Sequence, residues 1–203
     1  MNRTQAPGSG WACGRAAVAI RQVRPEQDLP ALSDFFGGLS THTRYLRFFG
    51  PVTPGAALLR TLAGCPGNVD ALVAVRGGVI VGHAMAVDRV EPKDPRGTPV
   101  TDIGVVVDDA WQGRGVGAAL MRAIVTGAKA RGVAVLEMDV LDGNRHVLAM
   151  VTGHWPAARV EHTADGLAIR VRLPQASVTP AAVMSHLALG QNRQGRRQLR
   201  NLG

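Results

Sequence analysis

Two features of this sequence have residue types and spacing suited to chemistry. One is the glycine-rich run Gln112-Gly113-Arg114-Gly115-Val116-Gly117; the other is Asp102, the acid that opens the apolar segment leading into it. Ile103 to Val107 is apolar and rich in β-branched residues, which predicts a strand, and Asp108 and Asp109 supply a polar stop. From Ala118 to Arg131, apolar residues at 119, 120, 123, 124, 127 and 128 keep helical spacing, so the glycines sit at a helix N-terminus. Amides there lack intrahelical partners and the helix dipole adds to their positive character, so such a loop favours an anion, a pyrophosphate above all. Glycine lets a phosphate approach the backbone and permits positive φ, and Arg114 adds a donor fork.

Two nucleotide-loop readings fail on spacing. A dinucleotide fingerprint needs a glycine where Ala118 stands, although Glu137 lies about 20 residues downstream, where a ribose-binding acid is expected. A Walker A loop would end in Gly-Lys-Ser/Thr, which is missing from this stretch.

The run from Gln112 to Gly117, between an apolar strand and an amphipathic helix, resembles the coenzyme A signature Q/R-x-x-G-x-G/A of the GNAT N-acetyltransferase superfamily. LSTHTRYLRFFGP (residues 39–51) is similar to the second-helix segment of bacterial protein lysine acetyltransferase-like GNAT domains, and VLDGNRHVLAMV (residues 140–151) to their fifth strand and fourth helix. The resemblance spans about residues 18–173. It implies an α/β fold with a central mixed, largely antiparallel sheet and flanking helices, coenzyme A binding where two parallel strands splay. It implies an acetyl-CoA-dependent N-acetyltransferase, leaning to protein lysine as acceptor. The alternatives are a small-molecule amine acceptor, or a non-catalytic acyl-CoA-binding module.

Residue roles follow from the same resemblance. Val105, Val106 and Val107 would pair through their backbone with the pantetheine amides, an amide near Val105 facing the developing oxyanion. Gln112, Gly113, Arg114, Gly115, Val116, Gly117 and Ala118 would cradle the pyrophosphate, and Asn144 would contact the cofactor unless it only caps its helix. Asp102 matches the position of the family's general base, a glutamate elsewhere. One methylene shorter, it is expected to act through a water, with Asp139 and Glu137 as fallback carboxylates. Arg44, Tyr45 and Arg47 are the expected acceptor contacts, set against a packing role for Tyr45, Leu46, Phe48 and Phe49. The family's fourth-helix tyrosine, the general acid, is missing: the one tyrosine is Tyr45, and His154-Trp155 occupies the corresponding region.

The surrounding elements must position these groups. With 203 residues, 46% apolar and 19% charged, the chain fits one domain with tails. Cys13 and Cys65 have neither metal-ligand nor disulfide-framework spacing, so the expectation is a reduced cytoplasmic setting and no metal. Residues 1–17 read as a disordered extension, 18–173 as the domain, and 174–203 as a basic flexible tail. Four of the eight formal positive charges fall in that tail and two more in the extension, which argues against specific nucleic-acid binding. No membrane span is expected, and the assembly is expected to be a monomer or homodimer.

Along the chain, residues 17–23 form a strand, Asp28 caps a helix running to Gly37, and Ser40 or Thr41 caps a second that Gly50-Pro51 stops. A helix over 54–62 follows. Residues 71–75 and 79–87 form a hairpin around Gly77-Gly78, with His83 a core-edge histidine rather than a base. After a loop over 91–99 come the central strand, a strand over 133–141, a helix from Asp142 or Asn144 to His154, and a closing hairpin around Asp165-Gly166. Ending the chain after Pro174 is expected to leave thiol release from acetyl-CoA intact on a small acceptor; misfolding or lost turnover would make the tail part of the domain.

Overall fold

The computed structural model describes residues 17–64, 68–91 and 94–174; the expectations for the N-terminal extension, both cysteines and the basic tail fall outside them. Seven strands form one sheet: β1 (Ala19–Gln22), β2 (Val69–Arg76), β3 (Val79–Val90), β4 (Pro99–Val107), β5 (Val135–Val140), β6 (Arg159–Thr163) and β7 (Gly166–Arg172). Their order is β1-β2-β3-β4-β5-β7-β6, and every neighbouring pair is antiparallel except β4 with β5. The mixed, mainly antiparallel sheet expected from the sequence is therefore present. The parallel pair requires a crossover, which α4 (Val116–Ala130) provides.

Alternation along the strands sorts side chains onto two faces. One face packs α4, through Leu120, Ile124 and Ala128, against Ala84, Ala86, Ile103 and Leu136, and extends to Val151 of α5 (Arg145–His154). The other carries α1 (Pro25–Gly38), α2 (Thr41–Phe48) and α3 (Ala56–Leu62), where Leu32, Phe36 and Leu62 close over Val73, Met85 and Val106. The register pairs Asp102 with Val87, Gly104 with Met85 and Val106 with His83, so these residues share the second face.

Several boundaries differ from the sequence reading for local reasons. Helix α1 begins at Pro25, whose fixed φ suits a first helical position, and Arg24 is its N-cap. Asp28 lies inside the first turn, its carboxylate accepting from the Arg24 amide at 2.8 Å and the Arg21 guanidinium at 2.6 Å. Helix α3 starts two residues later than expected, after Gly55. β4 begins at Pro99, inside the expected loop, because Pro99 and Val100 already pair with Val90 and Arg89. Ser40 caps α2 by accepting from the Thr43 amide, and α2 ends on Phe49 in the left-handed region.

A short 3-10 helix at Asp109–Trp111, not foreseen from the sequence, ties two parts of the molecule together. Asp109 accepts from the Ser40 amide at 3.0 Å, the Ser40 hydroxyl at 2.7 Å and the Thr43 hydroxyl at 2.6 Å. Gln112 Nε2 donates to the same Thr43 hydroxyl at 3.2 Å and to the Val107 carbonyl at 3.1 Å. The N-terminus of α2 is thereby fixed to the glycine loop. Desolvation works against the Asp109 charge, but the Ser40 amide and the Thr43 and Ser40 hydroxyls outweigh it and hold its carboxyl below the ordinary 3.8. A depressed carboxylate contributes stability that is present above its unfolded value and lost as pH falls through the folded one. Asp109→Ala is expected to lower stability by about 1 kcal/mol, screened because the residue is exposed, with the difference from wild type shrinking below about pH 4 in urea titrations.

Candidate active site

The pairing of β4 with β5 covers Val100, Thr101 and Asp102 against Val135, Leu136 and Glu137, and ends there. Beyond that point β4 stays paired to β3 as far as Val107, and β5 to β7 as far as Val140. The edges of residues 103–107 and 138–140 that face each other are therefore left without strand partners. Backbone groups at such an edge need hydrogen bonds from water or a ligand. Val105, Val106 and Val107 lie along this gap, which leads to the glycine loop.

At its far end, Gly113 and Gly115 take φ of 69° and 80°. A Cβ at either would meet nothing within 4 Å, so within the protein the glycines are required by conformation, not by space. Gly115 is the N-cap of α4 and offers no side chain, and the first backbone bond it accepts comes from Ala119. The amides of Val116, Gly117 and Ala118 thus stand ahead of the helical ladder, at the positive end of the dipole. Gln112 is committed through its side chain to Thr43 and Val107, so any contact it makes with a phosphate is through its backbone. Arg114 lies over the Trp111 ring at 5.1 Å and Arg76 over the same ring at 4.6 Å, placing two cations beside the loop. Arg76 has no counterpart in the sequence expectations, because nothing local links the end of β2 to this loop.

Asp102 stands at the last paired position, half-exposed, with Oδ2 accepting from Arg89 Nε at 3.0 Å. Its partner thus lies on the neighbouring strand β3. Glu137 is paired with Arg89 and, at 2.7 Å, with Arg170, which also pairs with Glu91. A ladder of alternating charge thus crosses β3, β4, β5 and β7 where the sheet begins to open. Asp139 is exposed, forms no ion pair among the described residues, and lines a cavity of about 320 Å³ with Phe49, Thr163, Asp165 and Leu167.

The three expected acceptor contacts separate. Arg44 donates to the Gly37 carbonyl at 3.0 Å and closes the end of α1. Tyr45 is exposed, as is Phe49, so neither does the packing considered for it, whereas Phe48 packs on Phe36 at 5.7 Å. Arg47 reaches over the sheet to Gly104, on the face that carries Asp102. His83 is fully buried, deeper than the core edge, and its Nε2 lies 2.8 Å from the Leu62 carbonyl. Burial first, then the charge of Arg47, push it down to about 3, so it remains neutral and its Nε2–H donates to Leu62. Asn144 caps α5, its Oδ1 accepting from the Val147 amide at 3.3 Å.

The model of the acetyltransferase (GNAT) family matches residues 42–152, more than half of the sequence, from α2 to the end of α5. The chain belongs to the GNAT acetyltransferase family. Acetyl-CoA is the co-substrate that fits this family, and the unpaired β4 edge, the positive-φ glycines and the open α4 amides fit it sterically and electrostatically. No curated protein matches the sequence. Among solved structures, the GNAT domain of S. lividans PAT is 23% identical, with 77% of this chain and 90% of that one covered and a TM-score of 0.66. A ribosomal-protein-alanine N-acetyltransferase from Brucella melitensis is 19% identical over 76% and 99% of the two chains, with a TM-score of 0.61. A GNAT superfamily phosphinothricin acetyltransferase from Sinorhizobium meliloti, in complex with AcCoA, is 14% identical over 80% and 92%, with a TM-score of 0.60. These likenesses show the GNAT fold. No helix among the described residues is long and apolar enough to cross a membrane.

Gly117, in the first turn of α4, has room for a Cβ in ordinary contact with Val107, 3.5 Å away. Since Cα–Cβ bonds tilt toward the helix N-terminus, a valine there stands over the open amides without disturbing the fold. Gly117→Val is expected to melt within a few degrees of wild type and to bind acetyl-CoA at least about tenfold more weakly by calorimetry. Unchanged affinity would remove the loop from the binding site.

Proposed function

We propose that this GNAT protein is an acetyl-CoA-dependent N-acetyltransferase that transfers the acetyl group to an amine. The observation that carries the reading is the coincidence, at one point of the sheet, of the end of β4–β5 pairing, the Asp102 carboxylate and an open strand edge leading to the α4 amides. Acetyl-CoA supplies the activated acyl group. The β4 edge from Val105 to Val107 holds the pantetheine, and the amides at 116–118, with Gly113, Arg114 and Gly115, hold the pyrophosphate. Fixing both ends places the thioester beside Asp102 and makes the attack nearly intramolecular.

An acceptor amine with a pKa near ~10.4 arrives protonated at neutral pH, and Asp102 takes that proton through a water. Arg89 engages Oδ2, and Oδ1 makes no hydrogen bond among the described residues, leaving it to the water. The amine nitrogen then bonds to the acyl carbon, the C–S bond breaks, and the nitrogen's second proton is lost to solvent, which in turn protonates the leaving thiolate. The amide near Val105 stabilises charge on the acyl oxygen. Asn144, through the NH2 its cap leaves over, is assigned to the cofactor. The protein-lysine acceptor rests on the α2 segment alone, whereas Arg47 favours a small amine carrying an anion.

The pairing of Asp102 with Arg89, together with the shortened acid and the missing fourth-helix tyrosine, favours a non-catalytic acyl-CoA-binding module. Asp102→Asn separates the two readings. Thiol release at neutral pH is expected to fall about 10²- to 10⁴-fold with acetyl-CoA affinity nearly unchanged, the loss shrinking as pH rises and free amine becomes available. A variant within about threefold of wild type, at an unchanged melting temperature, would remove Asp102 from the mechanism.

A further inference from the structure

Arg47 is placed unlike the other arginines that reach across the sheet. Arg89, Arg131 and Arg170 each pair with two carboxylates, and their pKa values are raised. Arg47 has no carboxylate partner among the described residues. Its Nε is buried without a hydrogen-bond partner among the described residues, and its guanidinium lies 5.3 Å from the Phe48 ring centre. Desolvation holds it down to about 10. The residue is only partly buried as a whole, but a cation whose Nε is shut off from water without a counter-ion is costly.

The opposing surface is cut to admit it. A Cβ on residue 104 would lie 2.5 Å from Arg47 Nη2 and 2.6 Å from Cζ, so the guanidinium lies flat on strand β4 because Gly104 has no side chain. Gly104 is two residues beyond the last β4–β5 pair and on the same face as Asp102. The cation therefore stands where the open edge begins, on the face of the sheet that carries the carboxylate assigned to the acceptor amine. It repels an ammonium that brings no counter-charge, and it offers a planar fork to an anion.

We propose that Arg47, seated on Gly104, binds a carboxylate of the acceptor, and that the acceptor is therefore an amino acid or similar small molecule bearing an amine and a carboxylate. The carboxylate supplies the missing counter-charge, and its amine is the one presented toward the face that carries Asp102. The inference rests on the N-acetyltransferase reading for the identity of the amine as the reacting group, but the anion site is testable without turnover.

The test measures binding of amino acids, and of the same amines with the carboxylate converted to carboxamide, to the coenzyme A-loaded full chain by calorimetry, alongside KM for each in thiol release. The carboxylates are expected to bind at least tenfold more tightly than the carboxamides. Arg47→Met is expected to erase that difference by weakening the carboxylates only, while its melting temperature stays at or above that of wild type. Gly104→Ala, which meets only the far end of a flexible side chain, is expected to fold and to lose the preference as Arg47 is displaced.

Equal binding of the two classes, or none, would overturn the proposal, as would equal weakening of both by Arg47→Met. Tighter binding of lysine peptides lacking a nearby carboxylate would overturn it too, as would a large drop in melting temperature with the preference intact. Retained discrimination with no thiol release on any amine would sink the enzyme reading and leave the anion site standing.

Discussion

The unequal lengths of pairing on the two edges of β4 are the constraint on which the rest of the structure depends. Toward β3 the strand is bonded along its whole length, whereas toward β5 the pairing stops at Asp102 and Glu137. Open backbone in the middle of a sheet is unfavourable unless something else supplies the hydrogen bonds. Here the gap leads from the Asp102 carboxylate to the N-terminus of α4, so one missing stretch of sheet joins the two ends of the proposed site. The charge ladder of Arg89, Asp102, Glu137 and Arg170 sits at the apex of the opening and joins four strands just before they separate.

The two faces divide the work. On one, α4 and its apolar contacts hold β4 and the glycine loop in fixed relation, as shown by the fully buried Leu120 and Ile124. On the other, α2 is fastened to that loop by Asp109 and Gln112 through Ser40 and Thr43. The helix presenting Arg47 is thus anchored to the glycine loop, and the two parts of the proposed site share one support. His83 beneath them is neutral and bonded to Leu62, a packing element with no proton to exchange near neutral pH.

Much of this was legible in the sequence because it depends on local signals. Glycine spacing before an amphipathic helix located the start of α4 and its positive-φ glycines. The Gly77-Gly78 turn located the β2–β3 hairpin, and two helix starts were narrowed to Ser40 or Thr41 and to Asp142 or Asn144, of which Ser40 and Asn144 are the caps. What was not legible depends on partners far apart in the chain. Asp102 and Arg89 are ordinary strand residues until the register aligns them. Asp109 looks like a second copy of the polar stop at Asp108 until Ser40 and Thr43, about 70 residues earlier, fold onto it. Arg44 and Arg47 lie one helical turn apart on α2, yet one turns back to a helix end and the other crosses to Gly104. A missing side chain at 104 carries no meaning until the residue that fills its space is known.

Hydrogen exchange at the open edge of β4, with and without acetyl-CoA, tests the central claim most directly. The amides within 103–107 that face β5, together with those at 113–118, should exchange quickly in the free protein and become strongly protected with acetyl-CoA bound, while the β3-bonded amides of the same strand change little. Protection confined to other parts of the molecule, or an edge that is already protected without acetyl-CoA, would contradict it.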